Sequence, residues 1–179
     1  MYYTTEYESP VGTLTLASDG KSLCGLWLDG QKYHGGTMRD ELVPQEDDLA
    51  IFDSARSWLD AYFAGKRPTP DALDLAFVGT DFQRLVWEIL TEIPYGTTTT
   101  YGEIAEEVRK RRGNKTSALA VGGAVGHNPI SIIVPCHRVV GADGSLTGYA
   151  GGLARKTWLL EHEGVDMGKL YAPTKGTAL

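Results

Sequence analysis

Cysteine is scarce in this 179-residue chain: there are two, Cys24 and Cys136, far apart and without any CxxC spacing. Neither a disulfide framework nor a zinc site is suggested by that pattern. Cys24 stands among Leu23, Leu26 and Trp27, where a packed strand cysteine is the default role. Long hydrophobic runs are also missing. None approaches the roughly 20 residues of a membrane span, and Met1-Tyr2-Tyr3-Thr4-Thr5-Glu6 lacks the basic and apolar parts of a secretion signal. The expectation is a cytoplasmic protein with no membrane partner. Basic residues are in short supply too, 17 against 23 acidic ones, for a net charge of −6. Phosphate contacts need lysine and arginine, so this balance argues at first against a nucleic-acid partner. The deficit is local, however: residues 1–100 carry 7 basic and 16 acidic side chains, whereas residues 101–158 carry 8 and 4. A basic cluster is more often just a solvated face, so the asymmetry alone decides little.

The chain is long enough for one medium domain or two small ones with a real core. Its first part reads as strands: Tyr3, Thr5 and Tyr7 alternate with polar neighbours, Leu14 and Leu16 follow Gly12, and Leu23, Leu26 and Leu28 follow a turn at Ser18-Asp19-Gly20. A small antiparallel sheet is expected. Leu49, Phe52, Ala55, Leu59, Tyr62 and Phe63 then recur at helical spacing until Gly65, giving a helix that covers the sheet. The acidic group Glu46-Asp47-Asp48 fits the start of that helix better than a metal site. This half reads as scaffold.

Lys66-Arg67-Pro68-Thr69-Pro70 breaks the pattern, and the domain boundary is placed near residue 79. Phe82, Leu85, Val86, Ile89, Leu90 and Ile93 follow helical spacing behind a capping box of Thr80 and Gln83. That helix stops at Pro94-Tyr95-Gly96. A second box, Thr100 with Glu103, starts another helix near Tyr101. A loop carrying Arg109, Lys110, Arg111, Arg112, Gly113 and Lys115 is expected before a third helix from about Ser117 to Gly126. Helix, loop and helix resemble a helix-turn-helix. Gly122 and Gly123 each cost about 1 kcal/mol relative to alanine in a helix interior. Tight helix packing explains them equally well as insertion into a DNA groove.

The run Ile132-Ile133-Val134-Pro135-Cys136-His137-Arg138-Val139-Val140 has the length and composition of a buried strand that delivers a thiol. Most buried cysteines are apolar filler. A chain has little structural reason to follow a core strand with His137 and Arg138, whereas a thiolate has a use for both. Nearby positive charge lowers a thiol pKa from about 8.5, and a histidine can relay the proton away. On these residues alone a thiol peptidase or an acyltransferase is equally served. Beyond the run come a turn at Asp143-Gly144, a glycine-rich loop over 147–152, and a last helix that ends at Gly164 just after Glu163.

The string Pro135-Cys136-His137-Arg138-Val139 resembles the active-site signature of the O6-alkylguanine-DNA alkyltransferases. The resemblance extends over Thr80 to Gly164, through Asn128-Pro129 upstream and Tyr149, Gly151-Gly152-Leu153 and Trp158-Leu159-Leu160 downstream. It implies an α/β protein with a ribonuclease-H-like N-terminal domain (1–78), a winged helix-turn-helix C-terminal domain holding the site (79–165) and a tail (166–179). It implies a DNA repair reaction in which the alkylated nucleotide leaves the stack and its alkyl group passes irreversibly, once per molecule, to Cys136. No cofactor or metal is implied. The partner is double-stranded DNA containing O6-alkylguanine, with O4-alkylthymine as a second candidate lesion, and the protein is expected to be a monomer.

Residue by residue, the resemblance makes Cys136 the nucleophile, His137 its base through a water, and Glu163 the group that orients His137. Asn128 pins the connection before the thiol, and Tyr101 helps rotate the target phosphate and donates a proton to the leaving guanine. Tyr149 walls the alkylguanine pocket, where backbone groups of Cys136 and Val139 read the base, with Ala150 and Gly151 beside them. Arg138 braces loops. The third helix enters the minor groove, with Thr100, Ser117, Ala120, Gly122 and Gly123 near the backbone of the DNA and Arg109, Arg111, Arg112 and Lys115 supplying charge. Leu119 stands where the family has an intercalating arginine, and Ala150 where many relatives have a serine hydroxyl, at a cost of roughly 1 kcal/mol for the missing hydrogen bond. Two other readings keep part of this: a lesion sensor that flips without reacting, in which the cysteine is replaced, and a thiol hydrolase, which would turn over.

Overall fold

The computed structural model describes residues 1–43 and 48–173. Glu46 and Asp47, read above as part of a helix start, and the end of the tail (174–179) lie outside the described residues. Strands β1 (Tyr2–Ser9), β2 (Gly12–Ser18) and β3 (Leu23–Leu28) form the expected antiparallel meander, and a short β4 (Leu42–Val43) pairs parallel with β1 to give the order β3-β2-β1-β4. Helix α1 (Ala50–Phe63) lies over one face. Its Phe52, Ala55, Leu59 and Tyr62 pack with Leu14, Leu16, Leu26 and Leu28, which are all fully buried. Period-two alternation sends Ala17 and Trp27 to the other face, where they meet Cys24 and Met38 in a smaller cluster. Cys24 is thus a packed strand cysteine.

The second half contains α2 (Asp81–Thr91), α3 (Tyr101–Arg112), α4 (Ala118–Gly126) and α5 (Leu153–His162). Both capping boxes form. Thr80 accepts from the Gln83 amide, Thr100 accepts from the Glu103 amide, and each partner side chain returns the bond to the cap backbone. Ser117 caps α4 by accepting from the Ala120 amide. Trp87 of α2 donates its indole N–H to the Ala124 carbonyl of α4 at 2.8 Å, which fixes the α2–α4 packing. One contiguous core runs from β2 and β3 through α1, α2 and α3 to Val134, Cys136 and Leu159.

Two expectations fail here. Residues 132–140 are not one continuous strand. The Asn128 side chain accepts from the Ile130 amide and donates to the Val134 carbonyl, and the Val134 amide bonds the Ile130 carbonyl, so residues 130–134 close into a turn. Those local bonds consume the backbone groups that a ladder would need. Ile132 sits at φ 71°, a left-handed conformation that costs a β-branched residue about 1–3 kcal/mol. Cys136–Arg138 then form a 3-10 turn, and β6 (Val139–Val140) pairs parallel with β5 (Thr99–Thr100). Nor do residues 109–112 lie in a loop, although Gly113 and Lys115 do. Helix α3 runs on to Arg112 because Arg109 and Arg111 pair with Glu106 and Glu107 at helical spacing, and four basic residues suit a helix C-terminus; Gly113, at φ 78°, ends it.

Trp87→Phe removes the α2–α4 bond without changing the apolar packing much. The expected loss is about 1 kcal/mol, read as a thermal midpoint lower by about 2–4 °C.

Candidate active site

Cys136 lies at the start of the 3-10 turn, 6% exposed, and is delivered there by the Asn128-pinned turn. Burial pushes its thiol up from the ordinary value; a hydrogen bond from Asn128 and the charge of Lys156 offset this only in part. The thiol is therefore protonated at rest, contrary to the expectation that flanking charge would activate it. The physical reason is burial, and Arg138 does nothing to offset it because its charge is committed elsewhere. Its Nε donates to Glu163 Oε1 at 2.8 Å, its Nη2 to Oε2 at 3.2 Å, and its Nη1 to the Ile93 carbonyl at 2.6 Å. Arg138 does brace the loops, as expected.

His137 is fully buried, with Nε2 2.6 Å from Glu163 Oε2. Burial lowers its pKa below 6.5, outweighing the hydrogen bond and charge of Glu163. A neutral ring facing a carboxylate must carry its proton on Nε2, which leaves a lone pair on Nδ1. Among the described residues, His137 Nδ1 and Tyr149 Oη are the buried side-chain polar atoms without a partner. Burial alone would raise the Glu163 carboxyl, but hydrogen bonds and charge from His137 and Arg138 hold it well below the usual carboxylate range.

Glu163 also accepts from Tyr62 Oη at 2.7 Å and from the Gly96 amide at 3.1 Å. Tyr62 belongs to α1, so the half read as scaffold reaches the site. The pattern could not show this, because Tyr62 occupies an ordinary position in the apolar stripe of α1.

Lys156 was missed outright. It is fully buried in α5, and its ammonium donates to the carbonyls of Val139, in a short contact, and of Thr147, at 2.9 Å. Burial lowers its pKa to about 8, against the opposing influence of Cys136. A signal existed: Lys156 falls between Leu153 and Leu160 on the buried face of α5. Tyr101 Oη donates to the same Thr147 carbonyl at 2.7 Å, and burial raises its pKa to about 12, so it is a protonated donor. Tyr149 is held protonated by burial likewise. Cys136, His137, Glu163 and Asn128 thus lie together, and Lys156 and the Thr147 carbonyl tie Val139 and Tyr101 to the start of the loop that carries Tyr149, Ala150 and Gly151.

The residues assigned to DNA sit on α3, α4 and their connection. Leu119 projects from α4 at 87% exposure, with Ala120 and Ser117 exposed beside it. A Cβ on Gly123 would meet nothing within 4 Å, and one on Gly122 would make only ordinary contact with Tyr101 at 3.8 Å, so tight packing does not account for these glycines. Arg109 is bound to Glu106, and Arg111 to Glu92 and Glu107. Arg112 lies over the Phe82 ring, while Lys115 is exposed. Thr100 Oγ1 serves as a helix cap. No cluster of three or more His, Cys, Asp or Glu that could hold a metal occurs among the described residues.

The first half, residues 1–77, matches the model for the 6-O-methylguanine DNA methyltransferase ribonuclease-like domain, and residues 81–165 match the DNA binding domain of the same family. A methylated-DNA–protein-cysteine methyltransferase of Mycobacterium tuberculosis is 48% identical over 163 residues, covering 91% of this chain and 92% of its own. One from Methanosarcina acetivorans is 47% identical over 165 residues, covering 92% and 99%. The structure of Mycobacterium tuberculosis OGT in complex with DNA superposes with a TM-score of 0.79 at 47% identity, covering 90% of this chain and 93% of that one. With both halves matched in order around a buried Cys136-His137-Glu163 cluster, this chain belongs to the methylated-DNA–protein-cysteine methyltransferase family.

Proposed function

We propose that this protein repairs double-stranded DNA by taking the alkyl group of an extruded O6-alkylguanine onto Cys136, once per molecule. The observation that carries the reading is the fully buried His137, whose Nε2 is tied to Glu163 and whose Nδ1 lone pair has no protein partner. That lone pair accepts the Cys136 proton, through a water, as sulfur attacks the alkyl carbon. The S–C bond forms as the C–O6 bond breaks, its electron pair stays with the guanine, and Tyr101, a protonated donor on the loop carbonyl, supplies the proton that neutralises the base. Glu163 stabilises the imidazolium, and the Lys156 ammonium the transient thiolate. Asn128 holds the turn and hydrogen-bonds the thiol. Tyr149, Ala150, Gly151 and the Val139 carbonyl line the base pocket.

Extrusion falls to α4. An apolar wedge unstacks bases without the hydrogen bonds of an arginine, and Leu119 is placed for it, with Gly122 and Gly123 allowing close approach. Lys115 and Arg112 are freer to meet phosphates than Arg109 and Arg111, which are committed to glutamates. Residues 1–78 and 79–165 act as two domains sharing one core, working as a monomer in the cytoplasm. No described helix is long and apolar enough to cross a membrane.

Intact-protein mass spectrometry after incubation with an O6-methylguanine duplex should show one added methyl on Cys136 and none in Cys136→Ser; selective binding without added mass would make the protein a sensor. Glu163→Gln should slow transfer roughly 100-fold, within the usual range for acid–base groups. It also strands the buried Arg138, at about 3–5 kcal/mol of stability, so the rate is to be read on protein shown by circular dichroism to be folded. The single-turnover rate should form a plateau in pH. It falls on the acid side as His137 protonates, below the free value of 6.5, and on the alkaline side as Lys156 loses its proton at about 8. Because the thiol is raised, no thiolate-driven increase compensates. Lys156→Met should lower the plateau and abolish the alkaline limb.

A further inference from the structure

The loop over 147–152 contains glycines at positive φ, Gly148 at 79° and Gly152 at 93°, and has little to hold its shape by itself. Its start is fixed by Tyr101 and Lys156 at the Thr147 carbonyl. Its far end is fixed by the other half of the molecule. The Lys32 amide donates to the Ala150 carbonyl at 3.1 Å, and a Cβ on Gly151 would meet the Tyr149 ring at 2.7 Å and Leu28 Cδ1 at 3.3 Å, so Leu28 lies close against the loop at this point. Just past the loop, Arg155 donates to the Asp29 carbonyl at 2.6 Å and to the Val11 carbonyl at 3.0 Å.

The same stretch also holds the opposite wall. The Leu26 amide bonds the Pro129 carbonyl at 2.8 Å and the Ser131 amide bonds the Leu26 carbonyl at 3.0 Å, within the turn that delivers Cys136. Gln31 Oε1 accepts from the Leu28 amide at 2.7 Å and from Ser131 Oγ at 3.3 Å. Both walls are therefore registered against one short piece of chain, the buried end of β3, residues 26–28, and the exposed turn that follows it with Gln31 tucked in.

We propose that Leu26–Lys32 of the N-terminal half sets the gap between Cys136 and the 147–152 loop, and so selects the size of alkyl group that the protein accepts. The inference rests on the alkyl-transfer reading above. Freeing the loop at Ala150 or at its Arg155 exit lets it swing away from Cys136. Bulky groups then gain room, while a methyl group, which needs close walls to be aligned, gains nothing.

The test compares single-turnover transfer from O6-methylguanine and O6-benzylguanine duplexes by the wild type, Lys32→Pro and Arg155→Gln. Lys32→Pro deletes the amide donor beneath an exposed side chain; Arg155→Gln leaves the backbone intact and so decides the question if the proline variant does not fold. The benzyl-to-methyl rate ratio should rise in each folded variant by about threefold to tenfold, as loss of one such anchor implies. A purely structural role would lower both rates together, and an unchanged or reduced ratio overturns the proposal. If the wild type accepts neither group, the alkyl-transfer reading itself has failed, which is a different result from a wild type that reacts while its ratio does not move.

Discussion

The structure depends on one carboxylate being able to satisfy several buried partners at once. Glu163, the residue that ends α5, accepts from the imidazole of His137, the guanidinium of Arg138, the hydroxyl of Tyr62 and the amide of Gly96. Those partners come from the site turn, α1 and the α2–β5 connection. A buried ion pair earns little stability for itself, since desolvation cancels most of the Coulomb gain; its value lies in the cost of breaking it. Here that cost fixes the orientation of His137 and the relation of the two halves together. Gly96, at φ 75°, is required at this point, because a Cβ there would press on the Glu163 carbonyl at 3.1 Å.

The charge pattern around the thiol follows. Arg138 is neutralised by Glu163, and His137 is kept neutral by burial, so the resting site holds a thiol and an imidazole rather than a separated ion pair. The remaining cation, Lys156, is solvated by two carbonyls, Val139 and Thr147. In the proposed mechanism the lysine that balances a developing thiolate thus also ties Val139 to the start of the 147–152 loop. A protein that reacts once has no need of a permanently ionised sulfur, and a protonated thiol is protected from oxidation between encounters.

What the sequence made legible follows physical rules that act locally. The helices α1, α2 and α3 were readable because their apolar stripes and capping boxes are short-range devices, and the β1–β3 meander because its alternation and turns are too. The turn before Cys136 was not, since a run of β-branched residues has the composition of a strand and nothing local shows that the Asn128 side chain will consume its backbone bonds. Strand β4, two residues long and paired parallel with β1 across a long separation, leaves no pattern at all. In the site, Cys136 and His137 stood out because a thiol and an imidazole follow an apolar run, whereas Glu163 was singled out only through the family resemblance. Tyr62 did not stand out, because it sits in the apolar stripe of α1 while its partner Glu163 lies 101 residues away. Lys156 was legible only as a charge on the buried face of α5, and nothing local named its carbonyl partners.

The claim most open to direct test is the resting charge state. Nitrogen-15 NMR of histidine-labelled protein would report the protonation of His137, compared with Cys136→Ser to remove the thiol. The account predicts a neutral ring with its proton on Nε2 and an unprotonated Nδ1 from about pH 6.5 to 8, with little change on removing the thiol. An imidazolium signal at neutral pH that collapses in Cys136→Ser would mean that a thiolate–imidazolium pair is preformed, and would contradict it.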